Sequence, residues 1–174
     1  MADYFYQPSR NIEKSLRRKI TEILNAANYN NVSIVRSFRE AADVKITREN
    51  QNAVIIVLCG TDSFNSSEIG SEIIERKIQL FIHICASSDG QRLDLKDIVM
   101  IGLKGGFDYY EYAIGGGDTE DAYFESGEVN DGQIIVDTIS SVPINLDTDR
   151  SKLELADKYR QLITLMVHKT KLED

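Results

Sequence analysis

The sequence predicts an α+β domain, a mixed or antiparallel sheet with two helices packed on one face. Three observations carry this. Residues 74–86 alternate at period two: Ile74, Ile78, Leu80, Ile82 and Ile84 share one side with Arg76, and Glu75, Lys77, Gln79, Phe81, His83 and Cys85 share the other. The run AVIIVLC, 53–59, is apolar on both sides and reads as a central strand. Ile12, Leu16, Ile20, Ile23 and Leu24 recur at helical spacing, as do Leu95, Ile98, Val99 and Leu103.

In chain order, residues 1–10 read as an arm carrying Tyr4, Phe5 and Tyr6, pinned either to the body or to a neighbouring subunit. Asn11 is positioned to cap a helix that runs to about Ala27, and the Asn-rich stretch 25–31 ends it. VSIVRSF, 32–38, reads as a short strand, and 39–52 as a polar connection into the strand at Ala53. Residues 60–71 read as a loop and SSDGQ, 87–91, as a turn, with a second helix from Asp94 to Leu103 stopped by Gly105 and Gly106. Strands are expected at 109–114, 122–125 and 133–140, the last ended by Pro143. For 151–170, helical spacing at Leu155, Tyr159, Leu162 and Met166 competes with the β-rich QLITLMVHKT, leaving a helix or a helix passing into a strand. Residues 11–146 form the domain in this reading, and 147–174 extend past it.

The 174 residues carry a formal charge of -8, which argues against general binding to nucleic acid or anionic membranes. The charge is segregated. Residues 105–149 hold eleven acids and no Lys or Arg, whereas 1–48 hold nine basic residues and five acids. No apolar stretch is long enough for a membrane span, and the first residues lack the pattern of a signal peptide. Cys59 and Cys85 both lie in apolar strands and read as buried free thiols, with a disulfide between neighbouring strands as the alternative.

No constellation of residues points to catalysis. His83 and His168 have no partner at metal-ligand spacing and read as structural. Gly115, Gly116 and Gly117 are followed by Asp118, Glu120 and Asp121, and a phosphate cradle does not place acids there. The carboxylates of DTEDAYFESGE do not follow the spacing of a calcium loop. The expectation is a non-enzymatic protein with no cofactor and no metal.

The order of elements, with IEKSLRRKITEIL, REAADVKITRENQNAVIIVLCGTDSF, ERKIQLFIHICASS followed by DGQ, DLKDIVMIGLKGGF and GQIIVDTISSVPI, resembles the Mu-like phage family of small tail proteins classed with tail terminators. Their fold is similar to that of the lambda minor tail protein U. The likeness spans about residues 12–144 and departs from the pattern at Asp131, Gly132 and Gln133, where family members commonly carry an aromatic. It implies a structural protein that caps the tail tube of a contractile phage or injection particle as a hexameric ring, made in the bacterial cytoplasm. The tube protein, and sheath or neck proteins, are the implied partners, with DNA only passing through the ring. The candidate interface residues are Tyr4, Phe5, Tyr6, Arg17, Arg18, Arg39, Asp118, Glu120 and Asp121. The alternatives are a small acidic adaptor or immunity-type protein, and an enzyme with an unrecognised site.

Overall fold

The computed structural model describes residues 8–66, 74–112, 128–144 and 159–170. Helix α1 spans Pro8–Ala26. It opens on a proline, whose missing N–H costs nothing at a helix start. Asn11 therefore lies inside the helix rather than capping it, and its amide donates to the Tyr109 hydroxyl at 3.3 Å. Ile12, Leu16, Ile20 and Leu24 are all buried, forming the predicted stripe. The helix closes with Asn28 at φ 57, Tyr29 N–H donating to the Leu24 carbonyl at 2.9 Å.

Strand β1 is Val32–Val35, shorter than the sequence suggests, because a helix α2, Phe38–Asp43, begins where the strand was expected to end. The physical reason is an N-cap with the Ser-x-x-Glu pattern, whose Glu side chain reaches back one residue past the cap. Ser37 Oγ accepts from Glu40 N–H at 3.2 Å, while the Glu40 carboxylate accepts from Arg36 N–H at 3.2 Å. The Arg36 N–H first, and then the Ser37 hydroxyl donating to the same carboxylate at 3.0 Å, hold the Glu40 carboxyl below its ordinary value. Strand β2, Ala53–Ser66, continues well into the expected loop, with a bulge between Cys59 and Asp62 that lets its far half still pair with β3, Ile74–Cys85.

Helix α3 is Asp89–Leu103, starting five residues before the expected Asp94. Another cap of the same kind explains it: Ser88 Oγ accepts from Gln91 N–H at 3.2 Å, and Gln91 Oε1 accepts from Ser87 N–H at 2.8 Å. Strand β4 is Phe107–Tyr112 and β5 is Glu128–Ile144, so Pro143 lies within a strand rather than ending one. Strand β6, Arg160–Thr170, shows the β-rich reading to hold for QLITLMVHKT. The expected strand 122–125 and residues 147–158 lie outside the described residues, as does the arm through Gln7.

The sheet order is β1-β2-β3-β6-β5-β4, parallel only between β1 and β2. Residues 160–170, expected in an extension past the domain, instead supply a strand at the middle of the sheet. Ile163, Leu165 and Val167 there are fully buried. The fold is thus the expected mixed α+β arrangement, with α1 and α3 on one face and the additional α2 on the other.

The main core lies between that first face and the helices α1 and α3. Gly102 allows the two helices to approach, since a Cβ there would sit 2.6 Å from the Ile23 side chain. Helix α1 also touches both flanks of the sheet. Tyr110 N–H of β4 donates to Ser15 Oγ at 3.0 Å, while Glu13 lies 4.0 Å from Arg36 just after β1. As β1 and β4 are opposite edges, the sheet curls around the helix. At the start of α1, Arg76 clasps Asp62 through Nε at 2.8 Å and donates from Nη2 to Ser9 Oγ at 2.8 Å. The Arg76 guanidinium keeps the Asp62 carboxyl below the usual carboxylate range.

Candidate interaction surfaces

The second face of the sheet has less cover. Near β1 and β2 it is closed by α2 and the following link, where Val35, Ala41, Val44, Ile46 and Leu58 pack on Val54, Ile56 and Cys85. Phe38 meets the His83 ring edge-on at 4.9 Å, and the Arg160 guanidinium lies 5.2 Å from the Phe38 ring centre. Burial, and then the Arg160 charge, push the His83 imidazole below its ordinary value, so it is neutral around pH 7.

Beyond α2 the face opens. Pairing aligns its side chains in rows: Ile56, His83, Leu162 and Val142; Leu58, Phe81, Thr164 and Ser140; Gln79, Met166 and Thr138; Lys77, His168 and Ile135. Phe81, Leu162 and Met166 are half-buried, while Val142 is 53% exposed and Ile135 40%. The two middle rows hold no charged group, in a chain with 28% charged residues. Charge gathers at one end of this strip, where Lys77 stands beside His168 in the sheet and His168 Nδ1 lies 2.8 Å from Asp137 Oδ1. That contact is at ion-pair distance rather than an aligned hydrogen bond. Asp137 reaches it from the bulge between Val136 and Thr138, a carboxylate partner for His168 that sequence spacing does not show.

A polar cleft of about 390 Å³ opens at the end of the sheet where β2 begins and β3 ends, lined by Tyr29, Arg48, Gln51, Ser87, Ser88, Gly90, Gln91 and Asp94. Its polar groups hold one another. Gln91 Nε2 donates to the Gln51 carbonyl, and Arg48 Nη2 reaches the Tyr159 hydroxyl at 3.5 Å. The cleft pins loops together.

The described candidate interface residues fall on opposite faces of the sheet. Arg17 and Arg18 are on α1: Arg17 lies 3.7 Å from Glu13, towards Arg36, whereas Arg18 pairs with Glu22 at 3.2 Å and lies 4.1 Å from the Tyr110 ring centre. Arg39 is exposed on α2, across the sheet. Tyr4, Phe5, Tyr6, Asp118, Glu120 and Asp121 lie outside the described residues. Within the acidic stretch, Asp131 pairs with Lys169, so part of its charge is met inside the subunit. The cysteines are free, Cys59 packing on the core side and Cys85 on the other, which leaves no bridge between them. Among the described residues no three His, Cys, Asp or Glu side chains gather as a metal site, and no helix is long and apolar enough to cross a membrane.

Helical spacing puts Lys14 on α1 between Arg10 and Arg17, and it is 2% exposed. Burial first, then Arg10, Arg17 and Arg36, lower its ammonium to about 8 against the opposing effect of Glu13. Between pH 8 and the ordinary lysine value the unfolded chain keeps a proton that the folded chain has released. Stability is therefore expected to rise with pH across that window. Lys14→Met is expected to stabilise the fold at pH 7 by about 1–2 kcal/mol, after allowing for solvent screening, and to flatten the rise. Urea unfolding from pH 7 to 10 checks this, and a destabilised variant with an unchanged pH profile would contradict it.

No family model matches the chain, and no curated protein is found to be similar to it.

Proposed function

We propose that the chain is a structural protein, a tail terminator that forms a ring on the end of a contractile tail tube. The observation that carries this reading is the open second face. Its middle rows, built from Leu58, Phe81, Thr164, Ser140, Gln79, Met166 and Thr138, combine apolar side chains with uncharged hydrogen-bonding ones. Depletion of charge with retained aromatic and Met side chains is the composition of an interface centre. The partner assigned to the face is the tube protein, as the tail-terminator resemblance implies. Non-enzymatic action, with no cofactor, belongs to the same reading, and so do a six-subunit ring and a place in the phage tail or injection particle.

Electron microscopy of the full chain mixed with tube protein is the test, with rings on tube ends as the expected result. Met166→Glu and Thr164→Glu put carboxylates on half-buried positions without entering the core. They are expected to keep the fold and to reduce tube capping by at least 10-fold, since an unpaired charge would be buried in the contact. Undiminished capping by both would remove the face from the proposal. Absence of rings, with and without tube protein, would remove tail termination itself.

A further inference from the structure

Strand β1 stands at one edge of the sheet, and among the described residues it pairs with β2 alone. The parallel register Val32↔Ala53, with Ala53 N–H donating to the Asn31 carbonyl at 2.9 Å, decides which way its amides point. Those of Ser33 and Val35 face β2, and those of Val32 and Ile34 face outward. An edge with outward amides is a template for another strand, and VSIV carries neither the Pro nor the Lys that commonly blunts one. Helix α1 covers the opposite edge, where Ser15 receives the Tyr110 amide.

Beside β1, between it and the last turns of α1, runs a groove of about 290 Å³ with Leu24, Val32 and Ile34 as its apolar walls. Val32 and Ile34 pack against the main core yet are only half-buried. Past the end of β1 stand the cations Arg17 and Arg36, which share Glu13 at 3.7 and 4.0 Å, with Arg10 and Lys14 on the same stretch of helix.

We propose that the β1 edge receives an extended acidic segment of a second copy of this chain, which adds as a strand, seats an apolar side chain in the groove and sets carboxylates beside Arg17 and Arg36. Charge complementarity selects this occupant. Within the acidic stretch, residues 113–127, which follow β4 and precede β5 in the chain, supply Asp118, Glu120, Asp121 and Glu125, no Lys or Arg, and Ile114, Tyr123 and Phe124 interspersed among them. A basic edge on one copy and an acidic segment on the next make a head-to-tail contact, which closes into a ring when the rotation permits. The proposal rests on the ring reading above and names the joint between its subunits.

Amide hydrogen exchange followed by NMR on the full chain, below and above the concentration of self-association, tests it. The amides of Val32 and Ile34 are expected to slow by at least 10-fold on association, while those of Ser33 and Val35 are slow throughout. Ile34→Pro removes one outward donor and spares the β2 ladder, and Arg36→Glu reverses the charge. Each is expected to weaken self-association by about 5- to 10-fold. Rings whose Val32 and Ile34 amides exchange as in the monomer would overturn the joint and leave tail termination standing. Protection that appears on adding tube protein while this chain stays monomeric would overturn the second copy as occupant. A monomer under all conditions, tube protein included, would overturn both. If Ile34→Pro fails to fold, exchange in the unmodified chain still decides.

Discussion

Deleting residues 159–174 is expected to leave a chain that does not fold. Strand β6 lies between β3 and β5 and pairs along nearly its whole length with both. Its loss would cut the sheet in two and uncover the buried Ile78, Leu80, Ile82, Ile84 and Ile134 in addition to removing Ile163, Leu165 and Val167. Full burial of a large aliphatic side chain stabilises by about 1.5–3 kcal/mol, so the three β6 residues alone approach the roughly 5–15 kcal/mol that holds a typical domain. Circular dichroism and a denaturant titration of the truncated chain are the measurements. A cooperative unfolding transition in that chain would contradict the central position of β6.

Gly106→Ala is expected to destabilise by about 3 kcal/mol or more. Gly106 ends α3 at φ 82, its N–H donating to the Leu103 carbonyl at 3.0 Å. An added Cβ would stand 2.3 Å from the Ile134 carbonyl oxygen, which belongs to the β5 backbone and is fixed by the ladder. Strain from a positive φ in a residue with a Cβ and overlap with an immovable main chain act together, and each alone costs on the order of 1 kcal/mol or more. Gly90→Ala serves as the control, because nothing lies within 4 Å of a Cβ there. A thermal melt in which the two variants lose equal stability would refute the steric argument.

The starts of α2 and α3 were legible. Ser37-Phe38-Arg39-Glu40 and Ser88-Asp89-Gly90-Gln91 each place Ser three residues before Glu or Gln, the pattern in which two side chains satisfy helix-end amides reciprocally. Reading 39–52 and 87–91 as polar connection and turn gave weight to composition over that spacing. The open face was half legible. Gln79, Phe81 and His83 share a side by alternation, but their neighbours Thr164, Met166 and Leu162 lie more than 75 positions away.

By itself the sequence determined the local structure that period and capping chemistry dictate. These are the amphipathic α1, the strands around 53–59 and 74–85, and the stop of α3 at its glycines. Each of these follows from contacts a few residues apart. The tertiary structure alone decided that the C-terminal strand sits in the middle of the sheet, that the sheet curls around α1 until both edges meet the helix, and that Lys14 is buried among cations. It also decided which amides of β1 point outward, because direction at an edge depends on the register with Ala53. Strand pairing is a choice among many distant partners, settled by how the assembled faces pack, and no short-range pattern encodes it.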